Sequence, residues 1–428
     1  MAGEWQTVSF RDAFSINPSI GLEVGAAYPF VEMADISPGT RDVLATQSRE
    51  YTGGGSKFSA GDTLLARITP CLENGKICRY SGRSGAVAHG STEFIVVRGR
   101  NDITDDAFAY YTTSSQEFRA FAISQMTGSS GRQRVPTESL RNWFVRLPPL
   151  REQKRIAHIL GTLDDKIELN HRMNATLEGI SRAIFKSWFV DFDPVRQKAA
   201  GKQPVGMEAQ TAALFPDSFE DSEIGEVPTG WSIARLGDVA EHLRRASRPG
   251  EIPNGTPYIG LEHMPRRCIA LADWGEGDGV ESNKFEFQQG EILFGKLRPY
   301  FHKVGVAPVD GVCSTDIVVA RPTRPKWFGV VLGVMSSDEF VAYTNAGSTG
   351  TKMPRTNWED MSRYEVALPP ANVAEAFTTF VRAAVESITA RIHHSRTLAA
   401  LRDTLLPKLL SGELRVPEAE GIVENAVG

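Results

Sequence analysis

The chain has 428 residues, of which 41% are hydrophobic and 23% charged, an ordinary balance for a globular protein of two or three domains. Its apolar runs are shorter than the roughly 18 residues that a membrane-spanning helix needs, and its first residues do not resemble a signal peptide, so we expect a cytoplasmic protein. Its cysteines, Cys71, Cys78, Cys268 and Cys313, fit no disulfide or zinc motif. The net charge of −5 arises in residues 201–230, which contain six acidic side chains and one lysine.

Two segments, residues 1–147 and 231–368, each have the pattern of a mixed α+β domain. Runs rich in β-branched and aromatic residues predict strands, and short helical stretches interrupt them. The predicted strands are 63–68, 93–97, 290–297 and 317–320, and the predicted short helices are 105–121 and 325–343. The two segments therefore share one layout of strands and short helices.

The two segments are related as a tandem repeat. The matching stretches are 58–70 with 287–299, 91–94 with 314–317, and 128–131 with 347–350. The last pair reads Gly-Ser-Ser-Gly in the first segment and Gly-Ser-Thr-Gly in the second, and each is followed by a proline. Chance could supply one such match, but several matches in the same order indicate two equivalent halves.

A long helix is predicted after each segment, at 148–195 and 369–416. Leu-Pro-Pro precedes each helix, and the hydrophobic positions then alternate by four and three residues, which is typical of a coiled-coil seam. The seam positions predicted to pair the helices and to dock partners are Ile156, Leu160, Leu163, Ile167, Asn170, Asn174, Leu177, Ile184, Phe377, Val381, Ile388, Leu398 and Leu405. The predicted fold class is α+β, with two mixed α/β domains separated by two long antiparallel coiled-coil helices in a pseudo-two-fold tandem repeat.

Apolar residues beside the seam predict a second contact face on the helices. These residues are Ile159, Ile180, Ile392 and Leu401, and we expect them to bind helices of partner proteins. Polar residues in the middle of the seam, such as Asn170 and Asn174, are expected to fix the register of the pair. Pro407 is expected to break or kink the last turn of the second helix.

The remaining parts of the chain are a connector and a tail. We expect the connector, residues 196–230, to be extended but mostly ordered, and to contact other surfaces through Leu214, Phe215 and Phe219. The tail, residues 417–428, is predicted to be frayed.

Motifs of enzymes occur only in incomplete form. Gly290-Glu-Ile-Leu-Phe-Gly-Lys296-Leu297 lacks the hydroxyl residue of a phosphate-binding loop, and the repeat predicts a strand there. Glu152-Gln-Lys154 resembles a nuclease motif but lies in the first turn of a helix, where an acidic residue complements the helix dipole. Asn17-Pro18-Ser19 lacks the aromatic residue of an amino-methyltransferase motif. We therefore predict that the chain is not an enzyme on its own and binds no metal.

The helix motifs resemble one protein family. Residues 147–170, which read Leu-Pro-Pro-Leu-Arg-Glu-Gln-Lys-Arg-Ile-Ala-His-Ile-Leu-Gly-Thr-Leu-Asp-Asp-Lys-Ile-Glu-Leu-Asn, resemble the central conserved region of specificity (S) subunits of bacterial type I restriction-modification enzymes. Residues 185–194, the connector, and residues 405–415 are similar to the same family. The second helix lacks the Glu-Gln-Lys-Arg-Ile signature of the first, so the two docking surfaces are expected to be similar but not identical.

The resemblance implies a function and a set of partners. Each globular segment would be a target-recognition domain that reads one half of a split sequence in double-stranded DNA, and the helices would set the spacing between the halves. They would also dock two methyltransferase (M) subunits that methylate adenine at N6, and through them an ATP-dependent restriction and motor (R) subunit. No cofactor is expected on this chain, because S-adenosylmethionine, ATP and Mg would bind to the partner subunits. The location would be the bacterial cytoplasm, without membrane contact.

Candidate DNA contacts follow from the repeated motifs, since Arg, Lys, Asn, Gln and hydroxyl side chains bind phosphates and base edges. In the first segment they are Arg67, Thr69, Asn74, Lys76, Ser129, Ser130, Arg132, Gln133 and Arg134. In the second they are Lys296, Arg298, Tyr300, Lys303, Ser348, Thr349, Thr351, Lys352 and Arg355. Both Gly-rich loops are basic and contain no acidic residue. Two alternatives stay open at this point: a self-contained methyltransferase or nuclease, and a structural coiled-coil adaptor whose end domains bind protein.

Overall fold

A computed structural model describes residues 4–129, 131–350 and 352–427 of the chain. The chain divides into two compact units: the first unit consists of Met1–Leu169 with Ser395–Gly428, and the second unit of Asn170–His394. Each unit therefore contains one globular segment together with half of each long helix. In the described ranges, no helix carries the long uncharged apolar stretch that crossing a lipid bilayer requires.

Both long segments with a predicted seam are helical, and short helices lie between the strands. In chain order they are α1 (Phe10–Ala13), α2 (Asp106–Ser114), α3 (Gln116–Ser124), α4 (Thr137–Leu140), α5 (Leu150–Phe189), α6 (Asp193–Ala199), α7 (Ala209–Ala212), α8 (Leu236–Val239), α9 (Phe328–Met335), α10 (Asp338–Ala346), α11 (Trp358–Met361), α12 (Ala371–Ser411) and α13 (Val416–Val427). The predicted short helices are confirmed as the pairs α2–α3 and α9–α10, and the two long helices, α5 and α12, contain 40 and 41 residues.

The first unit is built on a five-stranded sheet and a four-stranded sheet. Its strands are β1 (Gln6–Ser9), β2 (Phe14–Ile16), β3 (Ala27–Val31), β4 (Asp42–Val43), β5 (Gln47–Glu50), β6 (Ser56–Ser59), β7 (Thr63–Ala66), β8 (Ile77–Tyr80), β9 (Val87–Gly90), β10 (Phe94–Gly99) and β11 (Phe144–Leu147). The larger sheet has the order β2-β10-β7-β8-β4 and the smaller β5-β3-β9-β6, while β1 pairs with β11. The buried strand β7 lies antiparallel to β10, with Ala66 opposite Phe94.

The second unit repeats this topology. Its strands are β12 (Phe219–Ser222), β13 (Gly225–Pro228), β14 (Ser232–Arg235), β15 (Ala240–His242), β16 (Ala246–Ser247), β17 (Pro257–Ile259), β18 (Gly275–Glu276), β19 (Lys284–Phe287), β20 (Ile292–Gly295), β21 (Val304–Val306), β22 (Gly311–Ser314), β23 (Ile317–Pro322) and β24 (Glu365–Leu368). The order β15-β23-β20-β21 matches β2-β10-β7-β8, and β16-β19-β22-β17-β18 contains the equivalent of β6-β9-β3-β5. The tandem repeat in the sequence is therefore also a repeat of strand order, and the predicted α+β fold class is confirmed.

The start of α5 is fastened to the globular part of the first unit. The helix begins directly after Pro148-Pro149, as expected where proline precedes a helix. Gln153 in its first turn is fully buried. Its Nε2 donates to the carbonyl oxygens of Ile103 (2.9 Å) and Pro148 (2.8 Å), and its Oε1 accepts from the backbone N–H of Asp105 at 3.1 Å. This amide therefore joins the helix to the loop that precedes α2.

In the first unit the early part of α5 packs against the late part of α12. Leu160 and Leu163 share one buried cluster with Leu398 and Leu405. The direction of pairing is fixed by polar contacts, since Arg146 before α5 donates to the carbonyl of Ser411 at the end of α12, at 2.7 Å. The helices run antiparallel here, which agrees with the seam predicted from the sequence.

In the second unit the late part of α5 packs against the early part of α12. The ring centroids of Phe189 and Phe377 are 4.9 Å apart, and Trp188 also contacts Phe377, at 5.9 Å. The helix is further joined to the globular part by Glu178, whose carboxylate accepts from the backbone N–H of Ile269 at 3.0 Å. Burial raises the pKa of Glu178, and the hydrogen bond from Ile269 opposes this effect.

Glycines in α9 allow that helix to approach the long helices closely. A methyl group at Gly333 would lie 2.1 Å from the Phe185 ring, and one at Gly329 would lie 2.9 Å from the Phe377 ring. Carbon atoms that are not bonded to each other do not approach this closely, so either the aromatic ring or α9 would have to shift. The small residues at these two positions, four apart on one face, are required by the packing of the second unit.

Replacing Gly333 with alanine is expected to destabilise the chain by about 1–3 kcal/mol, because the added methyl group overpacks the site against Phe185. Urea denaturation followed by tryptophan fluorescence would measure the change. Gly179→Ala is the matched control: it lies exposed in α5 of the same unit, and its methyl group would meet nothing within 4 Å. The control should gain up to about 1 kcal/mol from helix propensity. A Gly333 variant as stable as the control would contradict the packing argument.

Two expectations about the C-terminal part of the chain are corrected. Residues 417–428 were predicted to be frayed, but α13 occupies Val416–Val427 and buries Val416, Ala419 and Val423 in the core of the first unit. Pro407 lies inside α12, which continues to Ser411 without a break. The helix tolerates this proline because the residues around it, Leu405, Leu406 and Leu409, are buried against the same core.

The connector is more regular than the extended segment that the sequence predicts. It contains α6, the short helix α7 and the hairpin of β12 and β13. Phe215 is fully packed in the core of the second unit, and Leu214 and Phe219 lie partly buried against the same core. The contacts expected from these three apolar residues are confirmed, and their burial explains why the connector is ordered.

Candidate nucleic-acid interface

In the first unit, three segments of the chain meet where the central strand β7 ends. The backbone N–H of Arg67 donates to the carbonyl oxygen of Glu93 at 2.9 Å, and the Arg67 carbonyl accepts from the N–H of Val135 at 2.9 Å. The turn that leads into β10 is held by Ser91, whose hydroxyl accepts from the N–H of Glu93 at 3.2 Å. We call this meeting point, formed by Arg67, Glu93 and Arg134, the first corner.

The second unit contains the same construction at the end of β20. The N–H of Lys296 donates to the carbonyl of Asp316 at 2.8 Å, and its carbonyl accepts from the N–H of Thr356 at 3.1 Å. Ser314 accepts from the N–H of Asp316 at 3.2 Å, as its counterpart does in the first unit. We call Lys296, Asp316 and Arg355 the second corner. In the two corners, residues at matching positions of the repeat make the same backbone hydrogen bonds.

The Gly-rich loops are closed by hydrogen bonds between their ends. Thr127 and Arg134 exchange two backbone hydrogen bonds of 3.0 and 2.9 Å, and Thr349 and Arg355 exchange two of 3.1 and 3.0 Å. Gly128, with φ of 124°, occupies a conformation that side chains rarely adopt. Two predicted DNA contacts, Ser130 and Thr351, lie outside the described residues.

Each loop arginine is paired with the acidic residue of its own corner. Nε of Arg134 lies 3.0 Å from each carboxylate oxygen of Glu93, and its Nη2 lies 2.7 Å from Oε1. Nη2 of Arg355 lies 2.9 Å from Oδ1 and 3.2 Å from Oδ2 of Asp316. The hydrogen bonds from Arg134 to Glu93 raise the pKa of the arginine. The Gly-rich loops contain no acidic residue of their own. The fold places the acidic residue of a neighbouring turn, at position 93 or 316, against the end of each loop.

Several predicted contacts have a clear role within the domain. The N–H and hydroxyl of Thr69 both donate to the carbonyl of Gln133, at 3.0 and 3.3 Å. Nζ of Lys76 donates to the carbonyl of Met33 at 2.7 Å, and Lys303 donates in the same way to Leu261. These two lysines occupy equivalent places in the repeat, and each joins its strand to a loop of the same unit. Their ammonium groups are therefore already engaged within the domain.

The other predicted contacts lie on the surface. In the first unit the exposed ones are Asn74, Ser129 and Arg132, with Gln133 half-buried. In the second unit Tyr300, Thr349 and Lys352 are exposed, with Arg298 and Ser348 half-buried. The backbone N–H of Arg298 donates to the carbonyl of Pro354 at 2.7 Å, which matches the bond from Thr69 to Gln133. In each unit, side chains from the end of the central strand and from the Gly-rich loop therefore lie in the same region of the surface.

The second unit adds cationic residues that the sequence analysis missed. The guanidinium of Arg266 lies 4.0 Å from the centre of the Phe301 ring, within cation–π distance. Partial burial lowers the pKa of Lys296; the charge on Asp316 opposes this, and the charges on Arg355 and Arg244 add to it. Arg244 and Arg266 lie outside the repeated motifs, so no sequence signal indicates them. Arg244 therefore adds a third cationic side chain, from a separate segment, to Lys296 and Arg355 near Asp316.

The seam residues lie in the cores of their units. Ile156, Leu160, Leu163, Ile167, Leu398 and Leu405 are buried in the first unit, and Asn170, Asn174, Phe377, Val381 and Ile388 in the second, where Leu177 and Ile184 are partly buried. The residues expected to form a second face behave differently. Ile159 and Ile392 are buried within the chain, Leu401 is half-buried, and Ile180 is exposed. The second face is therefore smaller than predicted, because the globular parts already cover most of it.

The incomplete enzyme motifs have structural roles. Residues 292–295 form β20, which confirms the strand predicted in place of a phosphate loop. Glu152 accepts a hydrogen bond from the indole Nε1 of Trp5 at 3.2 Å. Across the described ranges, no group of three or more His, Cys, Asp or Glu side chains is arranged to hold a metal ion. The arrangement of the two corners instead suits the binding of an extended anionic ligand, since each offers arginine or lysine at the surface.

These observations define a class of protein: two equivalent α+β domains with basic corners, combined with a pair of long antiparallel helices. Residues 4–179 match the family model described as the type I restriction modification DNA specificity domain. The chain is 33% identical to the type I restriction enzyme EcoEI specificity subunit of Escherichia coli, over 86% of this chain and 75% of that protein. It therefore belongs to the family of type I restriction enzyme specificity subunits, as the helix motifs indicated.

Other relatives extend the comparison. The HindI specificity subunit of Haemophilus influenzae is 26% identical over 76% of this chain and 81% of its own length. The solved structure of a type I restriction-modification S subunit from M. genitalium covers 95% of this chain and 96% of its own, with 13% identity and a TM-score of 0.48. The family assignment accordingly rests on the sequence comparisons.

Proposed function

We propose that this chain is a non-catalytic subunit that reads a bipartite sequence in double-stranded DNA. Each globular segment, residues 1–147 and 231–368, would act as one target-recognition domain and read one half of the target. The observation that carries this proposal is the second appearance of the same corner, with an arginine, an acidic residue and a basic strand-end residue in equivalent places. A duplicated site built from different side chains suits the reading of two different half-sites.

The chemistry of the corners supports DNA as the ligand. Arginine and lysine at the surface bind phosphates, and arginine reads guanine through two hydrogen bonds in the major groove. Arg132 is exposed at the tip of the first loop, and Lys352 is exposed in the second. A chain with net charge −5 can bind DNA only if its cations are sorted locally, and the second corner is an example of such sorting.

We propose that the paired helices, α5 and α12, set the spacer between half-sites and dock two methyltransferase subunits. Helices of 40 and 41 residues extend about 60 Å, long enough to contact large partners. Met173 and Ile180 are exposed seven residues apart on α5, so they offer apolar side chains on one face to a partner. The methyltransferases would carry S-adenosylmethionine and methylate adenine, and a restriction and motor subunit using ATP and Mg would join through them. The complex would work in the bacterial cytoplasm.

The test is a map of N6-methyladenine in DNA from cells that express this chain with or without its methyltransferase. Methylation at one split motif, present only when both proteins are expressed, is the expected result, and it identifies both half-sites at once. Absence of any motif with both proteins present would contradict the proposal and favour a structural adaptor. Salt-dependent retention of the assembled complex on DNA carrying that motif would provide an independent measurement.

A further inference from the structure

The pairing of a loop arginine with an acidic residue is repeated in both units, although the loops differ in sequence. Arg134 is bound through Nε and Nη2, which form one side of its guanidinium group. Arg355 is bound through Nη2 alone. In both units the acidic residue follows a Ser-Thr pair whose serine accepts the hydrogen bond from its N–H. The pairing and the turn that carries the acidic residue therefore recur in both halves of one chain, which indicates that they have a function in both.

Stability does not explain the pairs, and neither does DNA affinity. Side chains of Arg134 and Arg355 are 45% and 54% exposed, and ion pairs at such exposure contribute little to folding. An acidic residue at a DNA-binding surface also repels phosphates and so lowers affinity. Two acidic residues in equivalent corners are therefore unfavourable unless they serve to orient the arginines.

We propose that Glu93 and Asp316 are positioning residues for sequence specificity, which hold Arg134 and Arg355 so that each presents its remaining N–H groups to one base of its half-site. This inference rests on the proposed function. Among the described residues, Nη1 has no hydrogen-bond partner in either arginine, and Nη2 of Arg134 uses one of its two hydrogens, so N–H groups remain at the end of the guanidinium opposite its stem. Two parallel N–H groups at that end match N7 and O6 of guanine, which makes guanine the base that each arginine selects.

The two corners should differ in how firmly they hold the arginine. Glu93 engages two nitrogen atoms of Arg134 and thereby fixes the plane of the guanidinium group. Asp316 has a shorter side chain and engages only Nη2 of Arg355, so the plane is less constrained. We therefore expect the larger loss of specificity when the glutamate is changed.

The experiment maps N6-methyladenine in cells that express the methyltransferase with the wild-type chain, Glu93→Gln or Asp316→Asn. Glutamine and asparagine keep the shape of the acidic residues but remove the charge that holds the arginine. We expect Glu93→Gln to raise methylation at sites with one altered base in the first half-site, on the order of tenfold over the wild-type chain. The second half-site should stay strict. Asp316→Asn should have the mirror-image effect, with a smaller increase.

Control variants separate this role from a general effect of charge. Glu138→Gln and Glu241→Gln remove acidic residues that pair with Arg141 and Arg321 on the same domains but lie outside the corners, and these changes should leave the motif unchanged. Glu93→Asp, which copies the acid of the second corner, should retain most of the specificity. Methylation that rises evenly at all sites, or an unaltered motif in both corner variants, would overturn the inference while the proposed function stands. A wild-type chain that directs no methylation would overturn the proposed function, and this inference with it.

Discussion

Replacement of Asp164 with alanine is expected to lower the free energy of unfolding by about 3 kcal/mol, because it breaks a largely buried ion pair and removes the acceptor of a buried hydroxyl group. The side chain of Asp164 in α5 is only 4% exposed, and its Oδ1 lies 2.7 Å from Nη1 of Arg402 in α12, which is 14% exposed. Its Oδ2 accepts a hydrogen bond of 2.7 Å from the hydroxyl of Tyr111. One carboxylate thus joins both long helices and the globular part of the first unit.

The tyrosine remains a donor under all ordinary conditions. Burial, followed by the negative charge of Asp164, raises the pKa of Tyr111 well above its usual value, so the hydroxyl stays protonated at neutral pH. Removal of the carboxylate therefore leaves the buried hydroxyl of Tyr111 without its acceptor, and it leaves the guanidinium of Arg402 with only the exposed Asp403 as a partner. This double loss is the reason why the expected effect exceeds that of a single surface ion pair.

Urea denaturation of the full chain, combined with hydrogen exchange to localise the change, would measure the effect. Peptides from α5 and α2 in the first unit should lose protection, whereas those from the second unit should not. Asp165→Ala is the matched control, since Asp165 is 68% exposed and its partner Arg41 also pairs with Asp42. The control should cost no more than about 1 kcal/mol. Equal effects of the two substitutions would contradict the assigned role of Asp164.

The second large effect is expected on DNA binding. Replacing Arg132 and Arg134 together with alanine should weaken binding of the assembled complex to its target by about 100-fold, because it removes an exposed cation and the arginine proposed to read a base. The slope of log K against log salt concentration should become less steep by about one to two. Assembly with the methyltransferase should persist, since the loop belongs to the corner and not to the helices.

Fluorescence anisotropy with labelled target DNA over a range of salt concentrations would test this expectation. The control is Arg11→Ala with Arg141→Ala, which removes two exposed arginines of the same domain and therefore the same charge. It should alter affinity far less than the loop variant. If both double variants bind equally well, the assignment of the loop to DNA is wrong; if neither assembles with the methyltransferase, the effect is structural.

The long helices and the repeat could be predicted because their signals are local and numerous. Hydrophobic residues at every third or fourth position lie on one face of a helix, and that face must be buried. The seam of α5 and α12 therefore follows from periodicity alone. The matching motifs of the two halves likewise indicated which loops would occupy equivalent places, and the strand order of the two units agrees. Amino-acid composition alone would not have identified the equivalent loops.

Other features depend on contacts between residues far apart in the sequence. The tail forms α13 because Val416, Ala419 and Val423 pack in a core to which many residues of the first 170 positions contribute. Ile159 and Ile392, which the pattern assigned to partners, are covered by the chain itself. Periodicity identifies an apolar face but carries no information about which surface covers it.

The sequence by itself determined the fold class, the tandem arrangement, the two helices and the family, since each of these rests on short-range patterns or motifs. Only the tertiary structure decided the composition of the corners. Glu93 is 41 positions from Arg134, and Asp316 is 39 from Arg355, so their pairing appears only when β7 and β20 bring turn and loop together. Arg244 lies near the second corner for the same reason. Electrostatic partners are chosen by distance in space, which a one-dimensional pattern does not contain.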